Sequence, residues 1–105
     1  MRNDTETSRV LDIVKRFVDM ERSRYSVSEA YLFGSWAYGE PGEDSDIDVG
    51  IVIEGSVEPD DESRIFSDAQ DIHYRLEPHV FSKEAFLSAR RAMVYDMVEK
   101  GIRIA

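Results

Sequence analysis

The stretch Leu32-Phe33-Gly34-Ser35 is followed, after ten intervening residues, by Asp46-Ile47-Asp48-Val49, and these two stretches decide the fold. In the first, an apolar run ends at Gly-Ser, and in the second, Asp-x-Asp begins an apolar run that continues to Ile53. Glycine lets the backbone turn tightly and approach a ligand closely. Ser35 offers a hydroxyl and a backbone N–H to a phosphate oxygen at the start of a predicted short helix. The sequence therefore predicts a phosphate-binding turn beside a cation-binding strand.

Asp46 and Asp48 share one face of a predicted strand over residues 46–53, because side chains alternate along a strand. Their Cα atoms are then ~6.6 Å apart, from a rise of ~3.3 Å per residue. Two carboxylates at 4 Å repel each other by about 4 kcal/mol at an effective dielectric of about 20. A Mg²⁺ ion, which prefers hard oxygen ligands, relieves this repulsion. Two such ions could hold the attacking and leaving oxygens of a phosphoryl-type displacement.

Hydrophobic periodicity predicts alternating helices and strands. The predicted helices cover residues 5–24, 35–38, 59–71 and 83–99, and the predicted strands cover 28–33, 46–53, 73–81 and 102–104. Residues 40–44 have the composition of a turn. Ser82 is the predicted N-cap of the last helix, and Pro78 places the third strand at an edge. The expected fold class is α/β (α+β), a small sheet with helices packed against it, in one domain over residues 1–105.

The same periodicity predicts which side chains face the core. These are Val10, Val14, Phe17 and Val18 on the first helix; Ile65, Phe66 and Ala69 on the helix over 59–71; and Phe86, Met93, Val94 and Met97 on the last helix. On the third strand Tyr74, Leu76 and Val80 share one face, and Arg75, Glu77 and His79 share the other.

Charge and composition exclude several classes of protein. The chain has 105 residues and a formal net charge of −9, and from Tyr25 to Ser63 it has eleven carboxylates and no Lys or Arg. Direct binding to nucleic acid or to an anionic membrane needs a basic patch, so neither is expected. Cysteine is absent, the first residues are polar, and no apolar run approaches the ~20 residues of a membrane span. We therefore expect a cytoplasmic protein whose anionic ligand is neutralised by a divalent metal.

The pattern Gly34-Ser35-x10-Asp46-x-Asp48, with Gly39 and Ser45 also present, resembles the signature of the polymerase-β-like nucleotidyltransferase superfamily. The short chain and its layout resemble the minimal nucleotidyltransferase (MNT) family, often the antitoxin of a HEPN/MNT toxin–antitoxin pair. The resemblance implies the nucleotidyltransferase fold with a small mixed sheet, and a third acid on a later strand. Glu77 matches this third position best, in place of the commoner Asp, and Asp71 is the alternative.

The resemblance also implies an activity. A protein of this kind transfers AMP from ATP, with two Mg²⁺ ions, to a Tyr hydroxyl of a HEPN-domain toxin that is also its partner. Asp46, Asp48 and Glu77 would be the catalytic and metal-binding residues. Gly34 and Ser35 would hold the β- and γ-phosphates.

Two alternatives remain open. A non-catalytic antitoxin would neutralise a toxin by contact, with its acidic segment Glu54–Glu62 against a basic partner. A transferase for a small molecule ranks last, because such relatives carry an added helical domain.

Some residues depart from the pattern or have more than one interpretation. Trp36 and Tyr38 stand where many relatives carry a basic residue. Trp36 either stacks on a base or covers the core. His73 and His79 are two positions apart and could bind a metal, but solvated or hydrogen-bonded strand histidines are commoner.

Overall fold

A computed structural model of the chain describes residues 4–39, 41–42, 45–88 and 92–105, with side chains from residue 6 onward except that of residue 92. The elements are α1 (Asp4–Arg22), β1 (Val27–Phe33), α2 (Ser35–Tyr38), β2 (Ile47–Ile53), α3 (Pro59–Ile72), β3 (Leu76–Ser82), α4 (Lys83–Ser88), α5 (Ala92–Lys100) and β4 (Ile102–Arg103). The predicted α/β class is confirmed. Of the predicted turn over 40–44, residues 40, 43 and 44 lie outside the described part.

The four strands form one mixed sheet in the order β3-β2-β1-β4. Strand β1 is antiparallel to β2 and to β4, whereas β2 is parallel to β3. The register sets Asp48 opposite Phe33 on one side and opposite Glu77 on the other. Strand β3 is an edge strand, as Pro78 predicts. Proline has no N–H to donate, and only an edge strand can lack that hydrogen bond without breaking the ladder between two strands.

Helices α1 and α3 bury one face of the sheet. The predicted stripe of α1 is confirmed, since all four of its apolar residues are buried. They pack against alternate residues of β2, namely Ile47, Val49 and Ile51, and these three are completely buried. Two acids are also enclosed on these helices: Glu21 is 0% exposed and Asp68 is 7% exposed.

Helices α4 and α5 cover the other face beyond the two aspartates. Tyr31, Val52, Phe86 and Met97 belong to this second buried cluster. Gly50 makes the packing possible, because a Cβ atom there would collide with the sulfur of Met97. Both faces of the sheet are therefore buried at the end remote from Asp48.

Two residues predicted to face the core are exposed instead, and so is Tyr74, which strand alternation places on one face with Leu76 and Val80. Phe66 is 53% exposed because the buried stripe of α3 runs through Ile65, Asp68 and Ala69, which places Phe66 on another side of the helix. Met93 is 43% exposed at the margin of the stripe formed by Val94 and Met97. Tyr74 is 72% exposed.

One predicted element bound is also wrong. Strand β3 begins at Leu76 and not at residue 73, because the backbone N–H groups of Arg75 and Leu76 donate to His73 and close a turn. Within the helix predicted over 83–99 the described residues are helical in α4 and α5, and residues 89–91 between them lie outside the described part. The predicted N-cap is confirmed, since the Ala85 N–H donates to Ser82 Oγ at 3.1 Å. Among the described helices, none is long and apolar enough to cross a membrane.

Candidate active site

The turn between β1 and α2 is built on a glycine that no other residue replaces without strain. Gly34 has φ 75° and ψ −155°, which lies in the left-handed range that favours glycine. It is the N-cap of α2, where its carbonyl oxygen accepts from the N–H of Ala37 at 3.0 Å. A Cβ atom at Gly34 would collide with the carboxylate of Asp48. The turn and the acidic strand are therefore in close contact, as the sequence pattern predicts.

Three potential ligand groups come together where β2 and β3 run side by side. The parallel register pairs Asp48 with Glu77 and Gly50 with His79. One ligand atom each from Asp48, Glu77 and His79 lies within 4.8 Å of the other two. His79 Nε2 is 3.2 Å from Asp48 Oδ1, and its ring stands edge-on to that of Phe33 at 5.1 Å between centroids. All three ligand groups are half-buried.

Asp46 lies immediately before β2, with an exposed side chain that contacts Glu77. Burial raises the pKa of the Glu77 carboxyl, and a hydrogen bond with Asp46 and the negative charge of Asp48 raise it further. The neighbouring His79 partly offsets these effects. The pKa of Glu77 is thus raised by its burial and by the two other carboxyl groups crowded with it at one end of two strands.

A family model described as a nucleotidyltransferase domain matches residues 10–100. The chain belongs to the nucleotidyltransferase domain family. Among solved structures it is similar to a candidate nucleotidyltransferase from Sulfolobus solfataricus, with 25% identity over 94% of this chain and 90% of that chain and a TM-score of 0.64. It also shares its fold with a mutant of the toxin–antitoxin MntA-HpeT, with 16% identity over 86% of this chain and 70% of that chain and a TM-score of 0.60. No curated protein matches the sequence.

The donor set of this nucleotidyltransferase domain fits a divalent cation. Carboxylate oxygens are the ligands that Mg²⁺ and Mn²⁺ prefer, and Asp48 and Glu77 offer them from adjacent strands. The crowding that raises the pKa of Glu77 is the repulsion that a doubly charged ion removes. His79 adds an imidazole nitrogen, a ligand more typical of Zn²⁺ or Fe²⁺ than of Mg²⁺. Asp71, the alternative third acid, lies on α3 with an exposed side chain and is not in the group.

The sequence interpretation left His79 outside the site, although it allowed for a hydrogen-bonded strand histidine. The usable signal was strand alternation, because His79 follows Glu77 by two positions and shares its face. His73 is not beside it. The Nδ1 atom of His73 accepts the Arg75 N–H at 3.1 Å, and burial and the charge of Arg75 lower its pKa.

Trp36 and Tyr38 each have a cation against the ring. Trp36 is 2% exposed and its Nε1–H donates to the Ser45 carbonyl oxygen at 3.4 Å, so it covers the core and offers no face to a base. The Arg75 guanidinium lies 5.8 Å from the centre of the Trp36 ring, and Lys100 Nζ lies 5.8 Å from that of Tyr38. Positive charge near the turn thus comes from Arg75, just before β3, and from Lys100, the last residue of α5, which the sequence alone did not indicate.

Two concave regions lie away from the carboxylates. A cavity of about 240 Å³ lies behind Trp36, between α1 and the turn that carries His73 and Arg75. A depression of about 860 Å³ lies between α4 and the loop after β2. Glu54, at the edge of this depression, follows Asp48 by six positions along the chain. At ~3.3 Å per residue of strand, the two residues are ~20 Å apart.

Proposed function

We propose that this chain is a Mg²⁺-dependent nucleotidyltransferase that moves AMP from ATP to a Tyr hydroxyl of a HEPN-domain toxin and so acts as its antitoxin. One observation carries the chemical part of the proposal. Carboxyl groups from two parallel strands converge beside the Gly34 turn, where a phosphate chain and a cation can be held together. Membership of the nucleotidyltransferase domain family supports the reaction class.

In the proposed reaction, the acceptor oxygen attacks the α-phosphorus of ATP. The bond from this phosphorus to the β-phosphate oxygen breaks, and pyrophosphate leaves with the electron pair. Bound Mg²⁺ supplies charge neutralisation for the phosphates. Asp46, Asp48 and Glu77 would hold the metal, while Gly34 and Ser35 would hold the β- and γ-phosphates with backbone and hydroxyl donors. Glu77 would also take the acceptor proton.

The identity of the partner rests on the sequence resemblance to MNT proteins, supported by the shared fold with MntA of a toxin–antitoxin pair. The choice of ATP over other nucleotides rests on the same resemblance. A Tyr acceptor requires no buried pocket of its own in this chain.

An assay with radiolabelled ATP tests the activity. Purified chain, Mg²⁺ and the HEPN protein should give labelled partner, and Asp48→Asn should abolish labelling because a neutral amide loses the charge that holds the metal. Asp12→Asn, which removes one exposed carboxylate from α1, is the matched control and should label normally. Normal labelling by Asp48→Asn would contradict the assignment of the site.

Metal binding has a test that does not depend on activity. Mn²⁺ should broaden backbone NMR signals near residues 34–35, 46–48 and 77–79 in the wild type and in Asp12→Asn, because a paramagnetic ion relaxes nearby nuclei. Asp46→Asn/Asp48→Asn should lose this selective broadening. Broadening centred elsewhere, or unchanged in the double variant, would place the cation outside these carboxylates.

The alternative is a binding antitoxin that neutralises its partner by contact alone. It is favoured by the acidic segment Glu54–Glu62. Four of the five acidic residues of this segment are exposed, namely Glu54, Glu58, Asp60 and Glu62. A binder should protect against the toxin equally well with Asp48→Asn. Protection without labelling, in wild type and variant alike, would favour this alternative over the transferase.

A further inference from the structure

The depression between α4 and the loop after β2 combines an apolar floor with an acidic rim. Val57, Val80 and Phe81 form its half-buried floor, and Leu87 on α4 stands 72% exposed at one side. Covering a leucine exposed to this degree, beside half-buried apolar residues, lowers the free energy, so these residues form a surface that favours binding. The depression, called the α4 groove from here on, measures about 860 Å³.

The rim of the α4 groove is negatively charged. Glu54, Glu62 and Glu84 line it, and all three are exposed. In the described part of the chain, none of the three forms an ion pair. Among the described residues that line the groove, the one cation is Lys83, which is already paired with Glu29 at 3.1 Å. Within the described part, the groove therefore offers three carboxylates without a cationic partner around apolar contacts.

We infer that the α4 groove binds a basic amphipathic helix of a partner protein, with its apolar face on Leu87 and Phe81 and its Lys or Arg residues against the rim. Charge complementarity identifies the partner, because an acidic or neutral helix would leave the rim uncompensated. Helix-in-groove recognition uses apolar residues at helical spacing, which suits a short apolar floor. Added-strand pairing along β3 is disfavoured, since Pro78 removes an N–H from the middle of that edge.

The α4 groove lies at the other end of β2 from Asp48, so helix binding itself does not depend on the proposed transfer reaction. Only the further step, that the bound helix belongs to the protein that receives the nucleotide, rests on the proposed function. A variant that lacks the site acids, Asp46→Asn/Asp48→Asn, should therefore bind the helix as the wild type does.

The probe is a synthetic helix of about 18 residues with Leu at positions i, i+3, i+4 and i+7 and Lys elsewhere. Its binding is measured by fluorescence anisotropy and mapped by NMR. Replacing Glu54, Glu62 and Glu84 by Gln should weaken binding ~10-fold, because three exposed rim ion pairs worth about twofold each are lost. Leu87→Ser should weaken it by a similar factor without unfolding the chain, since this side chain is largely exposed.

The matched control separates the groove from the overall charge of the chain. Asp12→Asn/Asp19→Asn/Glu99→Gln removes the same three charges from exposed positions of α1 and α5 and should change affinity less than ~3-fold. A Glu-for-Lys version of the peptide should not bind, and a Leu-Lys alternating version should bind more weakly because it has no helical apolar face. Equal loss in both triple variants would overturn the inference. So would a chain that sediments as a dimer dissociated by Leu87→Ser, since the groove would then hold a second copy.

Discussion

Glu21 gives the stability of the fold a specific dependence on pH, which Glu21→Gln should remove. Its side chain is 0% exposed on α1 and contacts Asp68 on α3, while Arg24 pairs with Asp68 at 3.5 Å. Burial, followed by the hydrogen bond and the charge of Asp68, raises the pKa of Glu21 from 4.5 to about 8, and the charge of Arg24 opposes this. The Glu21 carboxyl is therefore protonated at neutral pH, beside the Asp68 carboxylate.

The sign of the pH dependence follows from proton binding. Between pH 4.5 and about 8 the folded chain holds a proton on Glu21 that the unfolded chain has released. Unfolding then loses a proton, so the free energy of unfolding falls as pH rises, by up to ~1.4 kcal/mol per pH unit. The stabilisation is fully present below pH 4.5 and is lost as pH rises through about 8. Its ceiling over this interval is about 5 kcal/mol, which is large beside a domain stability of about 5–15 kcal/mol.

Urea unfolding followed by the fluorescence of buried Trp36, at several pH values from 5 to 8.5, measures this dependence. Gln is neutral at every pH and its amide N–H can still donate to Asp68, so Glu21→Gln should match the wild type at pH 5 and exceed its stability at pH 8. Other groups titrate alike in both proteins and cancel in the difference. Glu99→Gln, an exposed change of equal charge, should leave the slope unaltered. Parallel pH profiles for the wild type and Glu21→Gln would refute the reasoning.

Two further predictions concern Gly34 and Gly50, each of which lies close to another side chain. Gly34→Ala should destabilise the chain by ~1–3 kcal/mol in urea titrations and abolish nucleotide transfer, because it adds left-handed strain and pushes against Asp48. Gly55→Ala shares the positive φ but meets open space, so it should cost only ~1 kcal/mol and leave activity intact; equal effects would contradict the Asp48 contact. Gly50→Ala should cost ~1–3 kcal/mol through Met97, and combined with Met97→Ala its cost should shrink by ~1 kcal/mol or more in a double-mutant cycle. Strict additivity would count against that contact.

Local patterns were sufficient for most of the fold. The alternation of Ile47, Val49 and Ile51 indicates the buried face of β2, and the helical spacing on α1 indicates its buried stripe. Both are properties of neighbouring residues. The stripe of α3 was misread because one of its buried positions is an acid, Asp68, whose burial depends on Glu21 from another helix. No pattern within α3 alone carries that information.

The candidate site shows the same division between local and distant information. The Gly-Ser and Asp-x-Asp spacing is local, and the structure brings Gly34 and Asp48 into contact. Alternation along β3 places His79 on the same face as Glu77, but the pairing of both residues with β2 depends on the register between the two strands, which no short motif encodes. The cations against Trp36 and Tyr38 likewise come from Arg75 and Lys100, far along the chain.

Gly34 and Asp48 lie so close that no side chain fits between them. Under the proposed function, a nucleotide held by the Gly34 turn and a cation held by Asp48 are therefore neighbours, and their binding is coupled. Whatever factor the nucleotide adds to the affinity for the cation, the cation must add to the affinity for the nucleotide, because linkage between equilibrium binding sites is reciprocal. A site that is weak for each ligand alone then fills cooperatively when both are present, independently of which arrives first.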